Sequence, residues 1–449
     1  MVHVPRTAKI GCSRQLQPSR RNRSRVSSPP AVRPEPCPET PLPSRTARVW
    51  RRMAAALTHR DFRILWIGAC TSTIGTWMQK VAQNWLVLTV TGSAFYLGLD
   101  SFLGELPILL FTLIGGVIAD RHDRRHLLMG SQVVQMTSAF ALMTLVWLDV
   151  VQIWHVLALS FLTGTAQAFG GPAYQSLIPQ LVPKDHLPNA IALNSIQFNI
   201  ARVIGPLLAG VALATLGSAA CFGLNGLSFV AVIVGLLLLR VRHVAPGSRK
   251  RLMEEMRIGV THVRGERPLV VLTALAFVST FLGLPLLTFL PVFAQNIFHR
   301  GVGQYSEMMA FSGAGAVTGA LLVAWLGRFE HMGRTLLVVQ AVFGALIVGF
   351  ALSRTPWLSY ALLFAGGAAL IIVFSLMTSL VQLTAPNQMR GRVMSIYMVA
   401  FRGGSPLGNL LSGYLAARFT APVVLAANGL LLAGVALYLL RNSRSLRRV

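Results

Sequence analysis

The chain has 449 residues, of which 54% are hydrophobic and only 12% are charged, about half the charged share of a soluble globular domain. The formal net charge of +26 would suit a nucleic-acid partner, but the basic residues lie in a short tail and between apolar stretches, which argues against one. The four cysteines show neither metal-ligand spacing nor a disulfide framework, so we expect no metal and no cofactor.

Residues 1–52 are rich in proline, arginine and serine, and they carry eleven Arg and one Lys against two Glu. Such a segment cannot bury a core, so we expect a disordered basic extension without a signal peptide. The sequence from Met53 onward is typical of a lead-in to a first membrane span. Two interpretations remain open: a true basic tail, or translation that begins at or near Met53.

Twelve apolar stretches follow, each close to the about 20 residues that a helix needs to cross the hydrocarbon layer. Lipid offers no partners to backbone polar groups, so each stretch is predicted to be a helix. The predicted spans are residues 63–89, 95–119, 127–148, 153–175, 188–214, 219–240, 269–295, 304–326, 335–353, 357–380, 393–417 and 421–440. The fold class is therefore predicted to be an all-α membrane protein with twelve transmembrane helices.

The connectors between spans alternate between strongly basic and nearly uncharged. Basic connectors stay on the cytoplasmic side, which predicts a multi-pass protein of a bacterial inner membrane with both termini cytoplasmic. The long basic connector 241–268 separates an N-terminal six-helix bundle, 58–240, from a C-terminal one, 269–440, and a basic tail follows at 441–449. Its amphipathic run Met253–Val263 is predicted to lie on the inner membrane surface.

The two halves share a sequence pattern. Three features of span 5 recur in span 11 at a constant offset of 200 residues: Ser195-Ile196, Arg202 and Pro206 match Ser395-Ile396, Arg402 and Pro406. Internal duplication around a long central connector is typical of secondary transporters, whose site lies between the halves near the midplane.

Two motifs carry a family resemblance. The connector after span 2 reads Gly115-Gly116-Val117-Ile118-Ala119-Asp120-Arg121-His122-Asp123-Arg124-Arg125, and span 5 contains Arg202-Val203-Ile204-Gly205-Pro206-Leu207-Leu208-Ala209-Gly210. The first resembles the signature loop of the major facilitator superfamily, and the second resembles the Gly-Pro motif of its exporters. Gly75–Trp85 and Arg390–Tyr397 are similar to the bacterial efflux branch that includes the enterobactin exporter family. The resemblance covers residues 58–440 and implies two pseudo-symmetric six-helix bundles, transport of a small molecule and no enzymatic activity.

The signature loop predicts a latch that holds the halves together on the cytoplasmic side. Its glycines, Gly115 and Gly116, allow a neighbouring helix to approach closely. Asp120 is placed to face the N-terminus of span 11 and Arg392. The remaining arginines, which we expect to bind carboxylates or lipid headgroups, are Arg121, Arg124 and Arg125. The alternative is that these arginines only fix the topology.

The span 5 motif comprises Arg202, Gly205, Pro206 and Gly210. Proline removes one helical hydrogen bond and kinks a helix. The resemblance implies that the bend seals the cavity against leaks, and the alternative is an ordinary packing kink.

Ionisable residues inside a span are costly and are candidates for function. At about 1.5 Å per residue from the Gly92 turn, Lys80 and Glu105 lie at a similar depth near the midplane, so they are predicted to pair, whereas Asp100 is shallower. We expect Glu105 or Asp100 to bind and release the coupling proton. Burial raises the pKa of a carboxyl group and a nearby cation lowers it, and alternating access would change the balance between the two effects. The alternative is a permanent structural ion pair.

Polar residues on a lipid-embedded helix face protein or water. The candidates for the substrate cavity are Thr76, Gln83, Asn199, Arg402, Phe281 and Tyr397; the alternative for each is helix–helix hydrogen bonding or packing. The sequence predicts a monomeric secondary active exporter that moves a small amphipathic molecule, such as a siderophore or drug, against a proton by alternating access. The alternatives are an uptake carrier of the same fold and, more remotely, a membrane scaffold or enzyme.

Overall fold

The computed structural model describes residues 55–239 and 252–443, and within those ranges the chain is helical and contains no strand. The first half contributes α1 (Arg60–Thr91), α2 (Ala94–Arg121), α3 (Arg124–Trp147), α4 (Ile153–Leu181), α5 (Leu187–Thr215) and α6 (Gly217–Leu238). Short 3₁₀ turns precede α1 and α5, at Ala55–Thr58 and Lys184–His186. These helices coincide with predicted spans 1 to 6 except at their ends.

The second half begins with an amphipathic helix and continues with six longer ones: α7 (Leu252–Gly265), α8 (Arg267–Gly283), α9 (Val302–Leu326), α10 (Met332–Leu352), α11 (Pro356–Thr384), α12 (Arg390–Arg418) and α13 (Ala421–Asn442). Beyond Gly283, α8 continues as short helical pieces, Pro285–Thr288 and Leu290–Val292, and a π-helical turn, Phe293–Ile297. Predicted spans 7 to 12 correspond to α8 to α13, so the all-α fold is confirmed. The predicted extension 1–52 and most of the tail 441–449 lie outside the described residues.

Nine of the described helices are long and apolar enough to cross a membrane by length and composition. The helices α1, α4 and α12 are not among these nine, although all three were predicted as spans.

Helix α5 packs directly onto the backbone of α1. A Cβ atom on Gly205 would lie 3.0 Å from the Ile74 carbonyl oxygen and 3.2 Å from the Met78 amide nitrogen. Only a residue without a side chain allows two helices to approach this closely. Gly205 therefore fixes α5 in a groove between successive turns of α1.

The same contact occurs in the second half, between α12 and α8. A Cβ atom on Gly404 would overlap the Phe277 carbonyl oxygen and lie 2.9 Å from the Phe281 amide nitrogen. As at Gly205, the glycine lies between a carbonyl and the amide four residues further along. Gly404 follows Gly205 by 199 positions, one fewer than the offset of the sequence repeat, so the two helix pairs pack alike through glycines that differ by one residue in register.

The apolar interior of the described residues is divided into three clusters. Two of them lie at the end of the bundle that carries the basic connectors, and each belongs to one half only. Representative members are Phe62, Leu128, Leu177 and Leu236 in the first half, and Leu269, Leu336, Leu376 and Val393 in the second. The third lies at the opposite end and combines both halves, with Leu86, Phe222, Phe289, Tyr305 and Phe350 among its members.

The halves are therefore packed together at the Gly92 end and have separate cores at the basic end. Along their sides they remain in contact through α2 with α12 and α5 with α9. A Cβ atom on Gly313 of α9, for example, would lie 2.8 Å from the Arg202 carbonyl oxygen of α5. The described apolar contacts that join the halves are therefore concentrated at the Gly92 end and along these two sides.

Candidate functional site

A buried carboxylate, Asp100 of α2, lies where α1 and α4 meet α2, and only 4% of its surface is exposed. Gln83 of α1 donates through Nε2 to both carboxylate oxygens of Asp100, at 3.1 and 2.9 Å. Ser160 of α4 donates a short hydrogen bond to the same carboxylate and accepts one from Gln83 at 2.8 Å. Three helices of the first half thus converge on one acidic group.

Lys80 of α1 is exposed, and its charge acts on the carboxylate of Asp100. Within the part of the chain that the structure describes, no ion pair joins Lys80 to Glu105, which is half-buried on α2. The predicted Lys80–Glu105 pair is therefore wrong in this conformation. Equal depth does not bring two groups together when they project from different sides of their helices.

Two cationic side chains, one from α1 and one from α5, lie near the indole ring of Trp77. The Lys80 Nζ atom lies 5.7 Å from the ring centroid, and the Arg202 guanidinium carbon of α5 lies 5.9 Å from it. Phe198, one turn before Arg202, contacts the same indole edge-on, with centroids 5.9 Å apart. Arg202 is 7% exposed and forms neither an ion pair nor a side-chain hydrogen bond to any described residue.

The residues of the predicted latch are only partly described. A Cβ atom on Gly115 would overlap the Ala168 carbonyl oxygen of α4, whereas one on Gly116 would meet no described atom within 4 Å. Among the described residues, close helix packing is seen at Gly115, and the expectation for Gly116 remains a prediction. The side chains of Asp120 and Arg121 lie outside the described part of the structure.

Two latch arginines bind the ends of neighbouring helices in their own half. Arg124 donates to the Ser176 carbonyl at 3.1 Å, and Arg125 donates to the Leu237 carbonyl at 2.9 Å. Carbonyl groups near a helix C-terminus attract cations. Arg392, at the start of α12, donates to the Met389 sulfur at 3.3 Å. A latch between the halves remains a prediction.

The span 5 motif packs α5 against α1 of its own half and against α9 of the second half. Gly205 lies against Trp77 of α1, and a Cβ atom on Gly210 would lie 2.8 Å from the Ser306 Cβ atom of α9. Pro206 is buried within α5, which continues as one helix from Leu187 to Thr215. The described contacts thus show tight packing by this motif, and its sealing role remains a prediction.

The remaining cavity candidates do not form one surface. Arg402 is exposed and lines a groove of about 300 Å³ between α2 and α12, together with Ile108, Leu109, Thr112, Met394, Ser395, Met398 and Val399. Thr76 is exposed, and its hydroxyl donates to the Ser72 carbonyl at 2.9 Å. Asn199 donates to the Ser195 carbonyl at 2.8 Å.

The two aromatic candidates of the second half pack rather than line open space. Phe281 is half-buried and stacks on Phe277, with centroids 5.6 Å apart. Tyr397 is fully buried in the apolar core at the basic end, and its hydroxyl lies 3.1 Å from the Thr378 hydroxyl. The assignment of Tyr397 to the cavity surface is therefore wrong in this conformation, because its helix turns it into the core of the second half.

Several polar residues at the site were not singled out from the sequence. Ser160 is one of them, since a lone serine in an apolar helix carries no motif. At the closed end, Asn84 donates to the Tyr305 hydroxyl at 3.1 Å, and Trp85 stacks on the same ring. On the second half, the Tyr360 hydroxyl donates a short hydrogen bond to Glu307. In the sequence, these residues are distinguished only by their position near the uncharged connectors, which does not indicate that they contact one another.

Two repeated helical halves that enclose buried charged side chains are typical of a polytopic membrane transporter. The chain belongs to the transmembrane secretion effector family of the major facilitator superfamily, whose family model matches residues 52–446. It is accordingly a transporter of small molecules and not an enzyme. The resemblance seen in the sequence is confirmed.

Relatives of known name transport different molecules. The staphyloferrin A transporter of Staphylococcus aureus is 26% identical over 355 residues, 77% of this chain and 87% of that protein. Macrolide efflux protein A of Streptococcus pyogenes is 24% identical, over 80% of this chain and 89% of that protein. The enterobactin exporter EntS of Citrobacter koseri is 25% identical, over 85% of this chain and 92% of that protein.

Among solved structures, a bacterial homologue of the human lysosomal transporter Spinster shares the fold. It was captured in an inward-facing, unoccupied conformation and superimposes with a TM-score of 0.68 at 13% sequence identity. The match covers 88% of this chain and 97% of that one. At this identity the likeness concerns the fold alone.

Proposed function

We propose that the protein is a secondary active exporter in which a proton moves inward as a small amphipathic molecule moves outward. The observation that carries the proposal is the Asp100 carboxylate, which is buried and hydrogen-bonded to Gln83 and Ser160 inside the first of two repeated halves. Relatives named for efflux of a macrolide and export of enterobactin support the outward direction. The cargo is then of the siderophore or drug class.

The proposed coupling group is Asp100, and Glu105 is the alternative. When ionised, Asp100 only accepts hydrogen bonds, and the donors Gln83 and Ser160 satisfy it. Protonation turns one of its oxygens into a donor and removes the charge that acts on Lys80. Both changes weaken the attachment of α2 to α1 and α4, which gives the proton a way to bias the arrangement of the first half.

The orientation follows from the basic connectors, which we place in the cytoplasm with both termini. In this proposal the transport pathway opens to the cytoplasm, where the two halves have separate cores, and the joint core at the Gly92 end closes the outer side. Cargo enters from the cytoplasm and from the inner leaflet of a bacterial inner membrane. A single chain contains both halves, so the proposed unit of transport is a monomer.

A transport assay in everted membrane vesicles tests the proposal. Vesicles that contain the full chain are energised with an imposed pH gradient and supplied with radiolabelled erythromycin or enterobactin. We expect accumulation of at least one probe by the wild-type protein and a loss of about tenfold or more in the Asp100→Asn variant. Glu105→Gln is measured in parallel to decide between the two carboxyl groups.

Asp149→Asn provides the matched control. Asp149 is an exposed carboxylate in the turn between α3 and α4, with a positive φ of 56° that asparagine also adopts. Its transport should equal that of the wild type. Full pH-driven transport by both Asp100→Asn and Glu105→Gln would remove the proton assignment, and movement of both probes only in the opposite direction would favour an uptake carrier.

A further inference from the structure

The first half contains a buried cation that the proposed proton chemistry does not use. Arg202 lies in the middle of α5, is 7% exposed, and has no acidic partner among the described residues. An isolated charge inside a membrane protein is costly unless it is paired or serves a ligand. Its nearest notable neighbour is the face of an indole, Trp77, rather than a carboxylate.

A second cation lies on the other helix beside the same ring. Lys80 is exposed, although α1 is a membrane-spanning helix, so it faces a water-filled space rather than lipid. Its charge is partly balanced by Asp100, but Asp100 already accepts hydrogen bonds from Gln83 and Ser160. The surroundings of Trp77 are therefore positively charged overall.

The aromatic surface completes the site. Phe198 contacts the Trp77 ring edge-on and is itself 51% exposed, so an aromatic edge remains free beside the two cations. A planar ring that carries an acidic group would stack or pack against these side chains while its anion meets a guanidinium and an ammonium. The contact of Gly205 with the Trp77 Cβ atom holds the indole at this place.

We propose that Lys80, Trp77, Phe198 and Arg202 form a binding site for an aromatic anion, and that the exported cargo belongs to this chemical class. The proposal rests on the exporter function above and adds to it the sign of the cargo charge. Arg202 is the main anchor because it has no acidic partner, and Lys80 supplies the second positive charge. The anion site adjoins the buried carboxyl cluster of Asp100, because the charge of Lys80 also acts on that carboxylate.

Binding of two dyes that share one ring system tests the charge preference. Carboxyfluorescein is an anionic xanthene and rhodamine 123 is a cationic one, so size and aromatic surface are nearly constant. Fluorescence anisotropy with the purified full chain in detergent gives both dissociation constants, and empty micelles provide the background. We expect carboxyfluorescein to bind at least tenfold more tightly than rhodamine 123.

Substitutions at Arg202 test whether this residue causes the preference for the anionic dye. Arg202→Gln should weaken carboxyfluorescein binding about tenfold, the value of one charge-assisted contact, without weakening rhodamine 123 binding. Arg202→Lys keeps the positive charge, so it should weaken carboxyfluorescein binding less than Arg202→Gln does. Arg418→Gln is the matched control, because Arg418 also lies over a ring, 5.2 Å from the Tyr414 centroid, but near the exposed end of α12.

Equal binding of both dyes, binding of neither dye, or preference for rhodamine 123 would overturn the anion site. These results do not depend on the Arg202 variants, so they hold even if Arg202→Gln fails to fold. The binding assay uses no proton gradient and is independent of the exporter test. A protein that exports erythromycin but prefers rhodamine 123 would retain the proposed function and lose this inference.

Discussion

Asn84 and Tyr305 are joined by a 3.1 Å hydrogen bond between the Nδ2 atom of one and the hydroxyl of the other, across the two halves of the bundle. They lie 221 positions apart in the chain, and both are buried, with 4% and 0% of their surfaces exposed. Trp85 stacks on the same tyrosine, with centroids 6.4 Å apart. These contacts exist only while the Gly92 end is closed, so opening at that end must break them.

The first prediction concerns this seal. Tyr305→Phe keeps the ring but leaves the Asn84 amide without its partner, which should weaken the closed end by about 1 kcal/mol. The open state should then be about fivefold more populated. The measurement is the labelling rate of Thr76→Cys by a membrane-impermeant maleimide from the outer side, in a chain whose four native cysteines are replaced.

Tyr360→Phe is the control for this experiment. It also removes a buried tyrosine hydroxyl contact, but the contact is to Glu307 within the second half. Its labelling rate should match that of the parent. Equal rates in Tyr305→Phe and Tyr360→Phe would show that the Asn84 contact does not stabilise the closed end.

The second prediction concerns the packing of α9 against α11. A Cβ atom on Gly315 would overlap the Phe364 carbonyl oxygen, so Gly315→Ala must push the two helices apart. We expect a loss of about 1–3 kcal/mol in stability, seen as a lower melting temperature in detergent. Gly434→Ala is the control: a Cβ there meets no described atom within 4 Å, and alanine favours a helix over glycine. A melting temperature unchanged by Gly315→Ala would contradict the close approach.

The third prediction concerns pH and the start of α3. Asp123 caps this helix by accepting from the Arg125 amide at 2.8 Å, and it lies 3.0 Å from a ring nitrogen of His126. Partial burial alone would raise the pKa of Asp123, but the Arg125 amide and His126 together outweigh it and hold the pKa below its ordinary value. The stabilisation is therefore present above the carboxyl's unfolded pKa and is lost as pH falls through the lowered folded pKa.

Asp123→Ala should consequently lower the melting temperature at pH 7, by an amount that corresponds to about 1 kcal/mol for a lost N-cap. The difference between variant and wild type should shrink on acidification below about pH 4, where the wild-type carboxyl also becomes protonated. Melting curves from pH 7 to pH 3 provide the measurement. A difference that stays constant over this range would show that the ionised carboxylate contributes nothing.

The fourth prediction separates packing from cargo binding at Tyr397. Tyr397→Phe removes only the contact with the Thr378 hydroxyl, so transport of erythromycin or enterobactin should stay at the wild-type level, with a small loss of thermal stability. Tyr397→Ala should destabilise the protein by about 3–5 kcal/mol, since it leaves a cavity in a core. If the Tyr397→Phe variant folds but has lost transport, the result would support the original assignment of Tyr397 to the substrate cavity.

The fold was predictable because the bilayer imposes a length and a composition on each span. The starts of α2 and α5, for example, lie within one residue of the predicted spans 95–119 and 188–214. The helices α1, α4 and α12 were also predicted, although they are not among the nine described helices that meet the length and composition for a span. The offset of 200 residues between Arg202 and Arg402 indicated a duplication, and similar glycine contacts join α5 to α1 and α12 to α8, although Gly205 and Gly404 are 199 positions apart.

The site was less predictable, because a sequence gives depth along a helix but not the direction of each side chain around the bundle. Lys80 and Glu105 share a depth and do not pair, whereas Gln83 and Asp100, near the same turn, do. The duplicated arginines also differ: Arg202 is buried beside an indole, and Arg402 is exposed in a groove. Neighbouring helices decide these outcomes, and their rotation is not encoded in any local pattern.

The end of α8 that packs against the first half is not a continuous helix. Leu284 and Phe289 interrupt it, and Pro285 and Pro291 have no amide hydrogen to offer the preceding turn. A segment built this way bends more readily than the regular turns of Arg267–Gly283. If the Gly92 end opens, we therefore expect the segment from Pro285 to Ile297 to bend away from the first half while Arg267–Gly283 keeps its packing.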